Sequence, residues 1–362
     1  MNHKTPRGRA SAGAGAAEVT GQAQWRAWQE RVLPPVEQVR PDVWSIPVPI
    51  PHNPLRYTIS YAFLDDGGVL LVDPGWDSPA GRAALAGGLA VAGAATQRVA
   101  GIVLTHVHPD HHGLSGWVRE QSGAWIGMHP AEARALPSRL WSDRRPEQDR
   151  DWLRGNGVPE DELAAVAMAA DRMSGLLAMA EPDRAVEDGD LLPLARHEVR
   201  AVWTPGHTPG HLCLHDANAG VLLTGDHLLP RISPTVGIHP GNEGDPLTAY
   251  LESLEQTGKF AAEEALPAHE YRFRGIDGRA AALVRHHGDR NHEILRVIAE
   301  LTAPTAWDIA AALTWSRGWA SLHGLMRRMA LAETLAHLHH LAQTQAVRPS
   351  PGPPTTWSLA SR

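Results

Sequence analysis

The sequence predicts an α+β protein: two β-sheets packed face to face, helices on their outer faces, and a smaller helical unit towards the C-terminal end. Three observations predict this. Strand-like segments come in two blocks, 43–72 and 198–224, and helix-like segments follow each block. A helical stretch over 131–179 separates the blocks and is too long and polar for a plain connection. From about residue 285 the pattern changes to three helical segments and a hairpin.

Taken in order, residues 1–20 read as a disordered tail, because the first seventeen are rich in Gly and Ala, basic and free of acids. Segment 22–33 reads as a short helix stopped by Pro34-Pro35. Strands are expected at 43–48, 58–64 and 69–72, with Asp65-Asp66-Gly67-Gly68 turning the last pair. A helix at 80–92 precedes a short buried strand, 102–104, and another strand is expected at 125–128. After the helical insert (131–180), strands resume at 198–202, 211–215 and 221–224. Asp245-Pro246 opens an amphipathic helix at 247–257, and Ala265-Leu266 forms a last short strand. One domain is therefore expected over 21–284. A second, over 285–362, has helices at 292–301, 306–313 and 329–342 and strands at 346–348 and 356–359, which is the layout of a winged helix.

Composition narrows the function. No apolar run reaches 18 residues, so no membrane span is expected. The lone cysteine, Cys213, excludes an intramolecular disulfide and a thiolate zinc site, and suits a reducing, cytoplasmic location. A net charge of −7 provides no overall basic field to draw in nucleic acid. With 21 histidines, isolated matches mean little and only spacing carries weight.

One spacing does. In Leu104-Thr105-His106-Val107-His108-Pro109-Asp110-His111-His112-Gly113, a strand runs into a tight loop. Alternate residues then share a side, so His106 and His108 can share a metal, and the following turn brings Asp110 and His111 towards an adjacent one. Imidazole and carboxylate without thiolate suit zinc or a similar first-row ion.

This segment resembles the metal signature of the metallo-β-lactamase superfamily. The resemblance implies an αββα sandwich and the rest of a dinuclear ligand set. A third ligand of the first metal is His207, in Thr204-Pro205-Gly206-His207; a bridging carboxylate is Asp226, in Leu223-Thr224-Gly225-Asp226. The last ligand of the second metal is His269, in Leu266-Pro267-Ala268-His269. Asp73, in Val72-Asp73-Pro74-Gly75, matches a strand-end Asp expected to hold a ligand imidazole by a hydrogen bond. His211 and His227, beside ligands, are expected to be structural or to support a ligand by a hydrogen bond, not to bind metal. Two zinc ions per chain and hydrolysis by a hydroxide held between them follow from the resemblance, with Asp226 and Asp110 as the catalytic carboxylates and Asp110 also orienting the nucleophile.

Ser233-Pro234-Thr235-Val236-Gly237, Asp245-Pro246 and 250–254 resemble the lactamase-beta-like branch with an appended C-terminal winged helix, near glyoxalase II. That branch holds acyl-thioester hydrolases and single-strand endoribonucleases. The negative charge and the lack of an aromatic, basic platform favour a small acyl ester or thioester over RNA, the alternative partner. A lactone, persulfide oxidation and a DNA-binding regulator rank lower. Arg272 and Arg274, just past His269, are the candidate contacts for an anionic substrate. Oligomeric state is left open.

Overall fold

The computed structural model describes residues 17–136, 146–167, 179–240 and 244–360. Most of the tail (1–16) and parts of the insert (137–145 and 168–178) lie outside the described residues.

Among the described residues the first strand block forms a seven-stranded sheet, numbered along the chain as β2 (Glu37–Arg40), β3 (Val43–Pro49), β4 (Tyr57–Asp65), β5 (Gly68–Val72), β6 (Val99–Val103), β7 (Trp125–Met128) and β8 (Arg184–Ala185). Strands β2 to β5 pair antiparallel; β5 to β8 run parallel. The parallel pairs need crossovers: helix α2 (Pro79–Val91) lies in the first, helix α4 (Ser115–Ser122) in the second, and the insert forms the third. The second block forms a six-stranded sheet in the order β1 (Glu18–Val19), β13 (Phe273–Arg274), β12 (Glu264–Pro267), β11 (Val221–Gly225), β10 (Leu212–Asp216), β9 (Val199–Trp203). Within it only β11 and β12 are parallel.

Side chains alternate across each strand, so one strand feeds two cores. Leu70 and Val72 face inward with Tyr61 and Phe63 and meet Leu212, Leu214 and Leu223 of the other sheet. Leu71, between them, packs outward with Ile102 and Ile126 against Leu85 and Leu89 of α2 and Val118 of α4. Cys213 and Leu222 likewise turn outward, under Leu247, Tyr250 and Leu254 of helix Pro246–Thr257. That helix begins where the sequence placed it: Asp245 caps it by accepting from Thr248 N at 3.0 Å.

The C-terminal helices and hairpin lie on this second outer face. Helices Ala306–Ala312 and Leu325–Gln343 are followed by the antiparallel pair β14 (Val347–Ser350) and β15 (Thr356–Leu359). Their apolar residues Ile309, Leu335, Val347 and Trp357 belong to the same core cluster as Leu222 and Tyr250. Residue 285, the expected domain boundary, falls inside one continuous helix, Ile276–Glu300. Glu18 and Val19, expected in the tail, pair with Arg274 and Phe273. The insert is tied to the C-terminal segment by a buried two-pronged pair, Arg328 Nη2 to Asp149 Oδ1 at 2.7 Å and Nη1 to Oδ2 at 3.0 Å. Backbone bonds from Trp307 N to Asn156 O and from Thr355 N to Gly155 O add to it. No helix among the described residues is long and apolar enough to cross a membrane.

Candidate metal centre

Two of the parallel pairs, β5/β6 in one sheet and β11/β12 in the other, each bring two strand ends to one edge. Asp73 follows β5, the His106–His111 segment follows β6, Asp226 follows β11 and His269 lies just past β12. The edges are stitched together across the sheets by Leu212 N to Thr105 O at 2.9 Å and Ile59 N to Ala268 O at 2.7 Å. Chain ends from both sheets thus converge on one place. His108 caps helix α3 (Pro109–His112), whose first turn presents Asp110 and His111.

All seven ligand residues read from the sequence meet there. His106 Nε2 and His108 Nδ1 are 3.0 Å apart, and His207 Nε2 lies 3.3 and 3.1 Å from them. On the other side, His269 Nε2 is 3.5 Å from Asp110 Oδ2, and His111 Nε2 is 3.9 Å from the same oxygen. Asp226 stands between: Oδ2 is 3.7 Å from His207 Nε2, while Oδ1 is 3.1 Å from His269 Nε2 and 3.5 Å from His111 Nε2.

The outer nitrogens decide what the inner ones offer. His207 Nδ1 donates to Thr235 O at 2.7 Å, His269 Nδ1 to Tyr57 O at 2.9 Å, and His111 Nδ1 to Asp73 Oδ2 at 2.8 Å. His106 Nδ1 donates to Thr105 Oγ1 at 3.0 Å, and that hydroxyl donates to Asp73 Oδ2 at 2.7 Å. Each such bond leaves a lone pair on Nε2 pointing inward. Lone pairs 3.3 Å apart, as on His106 and His207, cannot bond each other. On the second side His111 Nε2, His269 Nε2 and Asp226 Oδ1 are buried without a hydrogen-bond partner among the described residues. Converging, buried and unpartnered donors of this kind fit cations. Groups able to hold a metal are His106/His108/His207, His106/His111/Asp226 and Asp110/His111/His269.

The two sides differ electrically. Burial, then the neighbouring imidazoles, pushes the pKa of His106 and His108 well below the usual histidine range, and burial lowers His207. Burial also opposes charge on His111 and His269, but Asp226 and the other carboxylates outweigh it and raise both. Burial likewise works against ionised Asp226, yet His269 and His111 hold it well below the usual carboxylate range.

Several supporting residues escaped the sequence reading. Glu132, fully buried in helix α5 (Pro130–Arg134), accepts from Val107 N at 2.8 Å with Oε2 and from Gly210 N at 2.7 Å with Oε1. It clasps the loops carrying His106, His108 and His207, and only its place in a helix's first turn hinted at it. Thr235, within a motif noted for resemblance alone, receives the His207 bond. Its loop is held by Ile238 N bonding to Ala332 O of the C-terminal helix at 3.0 Å. His211, which the sequence did single out as structural or supporting a ligand, accepts from Asp226 N at 3.2 Å. His227 bonds Thr257 Oγ1 at 2.8 Å, away from the ligand set. Arg272 is engaged elsewhere: its guanidinium pairs with Glu264 at 3.1 Å and Glu37 at 3.3 Å. Arg274 is exposed on β13 opposite Glu18.

Residues 54–269 match the family model described as metallo-beta-lactamase superfamily. A solved metallo-beta-lactamase family protein from Thermus thermophilus is 32% identical, with TM-score 0.77, covering 89% of this chain and 100% of that one. A beta-lactamase domain protein from Burkholderia ambifaria is 27% identical, with TM-score 0.78, covering 95% and 98%. Among curated proteins, an acyl-coenzyme A thioesterase of Gallus gallus is 28% identical over 179 residues, 46% of this chain and 55% of that protein. An uncharacterized protein of Aquifex aeolicus is 29% identical over 131 residues, 36% and 50%. The chain thus spans about half the length of these two curated relatives.

Proposed function

Since the chain belongs to the metallo-beta-lactamase superfamily of hydrolases, we propose that it is a dinuclear zinc enzyme that cleaves a small acyl ester or thioester. The observation that carries this is Asp226, whose two oxygens face two separate nitrogen groups. His106, His108 and His207 would hold one ion, Asp110, His111 and His269 the other, with Asp226 shared. When bound, the two ions supply Lewis acidity and lower the pKa of water so that hydroxide is present near neutral pH.

The chain's own groups do the rest. Asp226, kept ionised by His269 and His111, sets the spacing of the two groups and offsets their charge. Asp110 is the more exposed of the two carboxylates, at 14% against 10% for Asp226. It accepts a hydrogen bond from the attacking water and turns the water's lone pair towards the acyl carbon. The C–S or C–O bond breaks, water's oxygen ends in the carboxylic acid, and one of its protons goes to the leaving thiol or alcohol. Asp73 holds His111 directly and His106 through Thr105, so one carboxylate aligns a ligand of each ion.

The acyl-coenzyme A thioesterase relative and the net charge of −7 support an acyl substrate over RNA. The insert and the winged-helix-like C-terminal segment, linked by Arg328 and Asp149, are read as the walls of the approach, and a single buried cysteine fits a cytoplasmic enzyme. A turnover screen of zinc-loaded protein on acyl thioesters, lactones and single-stranded RNA tests the proposal. Thioester or ester turnover is expected; RNA cleavage with no acyl turnover would replace it with the nuclease reading.

A further inference from the structure

Four hydrogen bonds hold the outer ring nitrogens of ligand histidines, and three of them end on the first sheet. Tyr57 O, which takes the His269 bond, lies in β4. Asp73, which takes the His111 bond directly and the His106 bond through Thr105, follows β5. The fourth ends on Thr235, whose carbonyl takes the His207 bond at 2.7 Å. Thr235 sits in segment 229–238, which has neither helix nor strand. Such a segment makes no ladder of its own, so neighbouring elements decide where its carbonyls point.

Those neighbours are the two long C-terminal helices. From helix Ile276–Glu300, Arg279 donates from Nε to Leu229 O and from Nη2 to Ile232 O, each at 2.7 Å. Bonds from a charged donor are about twice as strong as neutral ones, and the planar guanidinium fixes the angle between the two carbonyls. His287 of the same helix meets Ser233 Oγ through Nε2 at 3.4 Å. From helix Leu325–Gln343, Ala332 O accepts from Ile238 N at 3.0 Å, and a methyl on Gly237 would stand 3.0 Å from Ala332 Cβ. The chain is therefore gripped on both sides of Thr235.

A second histidine sets the tautomer of His287. His337 donates from Nδ1 to Asn291 Oδ1 at 2.6 Å, which leaves its Nε2 as an acceptor. His287 Nδ1 donates to that Nε2 at 3.3 Å. His287 Nε2 is then left to accept from the Ser233 hydroxyl, whose hydrogen is shared with Pro234 O at 3.3 Å. Burial pushes His287 down to about 3 and His337 well below the usual histidine range, so the pair stays uncharged.

The grip does not extend back to the bridging carboxylate. Tyr250 Oη donates to His227 O at 2.9 Å and Thr224 Oγ1 to Leu228 O at 2.8 Å, which pins the chain between Asp226 and Leu229 to helix Pro246–Thr257 and β11. The backbone beside His207 is likewise fixed without the C-terminal helices: Ser253 Oγ donates to Pro205 O at 2.9 Å, and Glu132 holds Gly210 N. What remains for Thr235 to set is the angle of the His207 ring, and with it the direction of Nε2.

We infer that Arg279 and His287 are positioning residues for the first ion, setting the His207 ring through segment 229–238 and the Thr235 carbonyl. The C-terminal helices are then part of the first nitrogen group and not of the second. The inference rests on the two-ion reading of the site.

Chelator competition on the zinc-loaded protein tests it, with cobalt spectra identifying which ion is affected. Arg279→Met removes both donors at similar length, and the first ion is expected to bind about tenfold more weakly, the lower end of the range for a lost ligand support. Arg279→Lys keeps the charge and should restore most of that affinity. His287→Leu should weaken the first ion by a smaller factor, and His287→Gln, which can still accept from Ser233, should restore it. The second ion, whose ligands are oriented by Tyr57 and Asp73, is expected to keep parental affinity in all four variants. If Arg279→Met does not fold, the His287 pair carries the test. Equal weakening of both ions would overturn the inference in favour of a purely structural role, as would parental affinity for both ions in Arg279→Met and His287→Leu. A parent that binds a single ion would sink the two-ion reading. The inference would then stand only if that ion is lost in His207→Ala and weakened in Arg279→Met, and fall otherwise.

Discussion

The two nitrogen groups at the site are built from the same kinds of residue and are electrically opposite. His106, His108 and His207 face one another, and burial lowers the pKa of all three, with neighbouring imidazoles adding to it for His106 and His108. His111 and His269 face Asp226 and Asp110, and their affinity for protons is raised. The first group has nothing of its own to satisfy its lone pairs, whereas the second can share a proton with its carboxylates. A bound ion therefore fills an electrostatic gap in the first group and displaces protons from the second. Asp226 belongs to both, which is why its replacement should have the largest effect.

Asp226→Asn removes the charge that both groups share while keeping the shape. Turnover is expected to fall by orders of magnitude with far-UV circular dichroism unchanged; near-parental turnover would show that the carboxylate does not bridge. Gly206→Ala comes next and acts on the first group alone. Gly206 has φ 137°, and a methyl there would sit 2.3 Å from Tyr250 Cβ, so the His207 loop must move. Loss of one ion with the other retained is expected, and a variant that keeps both would show that the loop can yield. Asp73→Asn acts on both groups at one remove, through His111 and through Thr105 to His106. Metal affinity should drop about 10–100-fold, read by competition with a chelator. Glu132→Gln is the mildest, because the amide keeps one acceptor for the clasp and loses the other. It should cost about 1.5–3 kcal/mol of stability in urea denaturation. Its effect on ion retention should be confined to the first group; equal weakening of both groups would show that the clasp is not specific to the loops it bonds.

The same contrast separates what could be read in the sequence from what could not. The clustering of the candidate ligands was legible because metal chemistry restricts residue type and the strand-loop context restricts spacing, so His106 to His111 announced itself and His207, Asp226 and His269 followed by resemblance. The strands were legible for a related reason: Leu70, Leu71 and Val72 form the apolar run that a strand buried on both faces requires. Glu132 was not legible, since a lone acid in a helix's first turn usually interacts with solvent and the helix dipole. Only the folded chain brings Val107 and Gly210, 103 positions apart, to its two oxygens. The helix across residue 285 was not legible as one element, because its polar positions hide that Ala280, Leu283, Ile294 and Val297 keep one buried face along Ile276–Glu300. Arg272 looked available from its distance in sequence to His269, but Glu264 and Glu37 reach it from two other strands.

The most direct test of the centre is its metal content. Plasma mass spectrometry of protein purified with zinc, for the parent, His207→Ala and His269→Ala, counts ions per chain. Two ions in the parent and one in each variant are predicted, with the two variants losing different ions and therefore binding cobalt with different visible spectra. One ion in the parent, or full occupancy in both variants, would contradict the division of the site into two groups joined by Asp226.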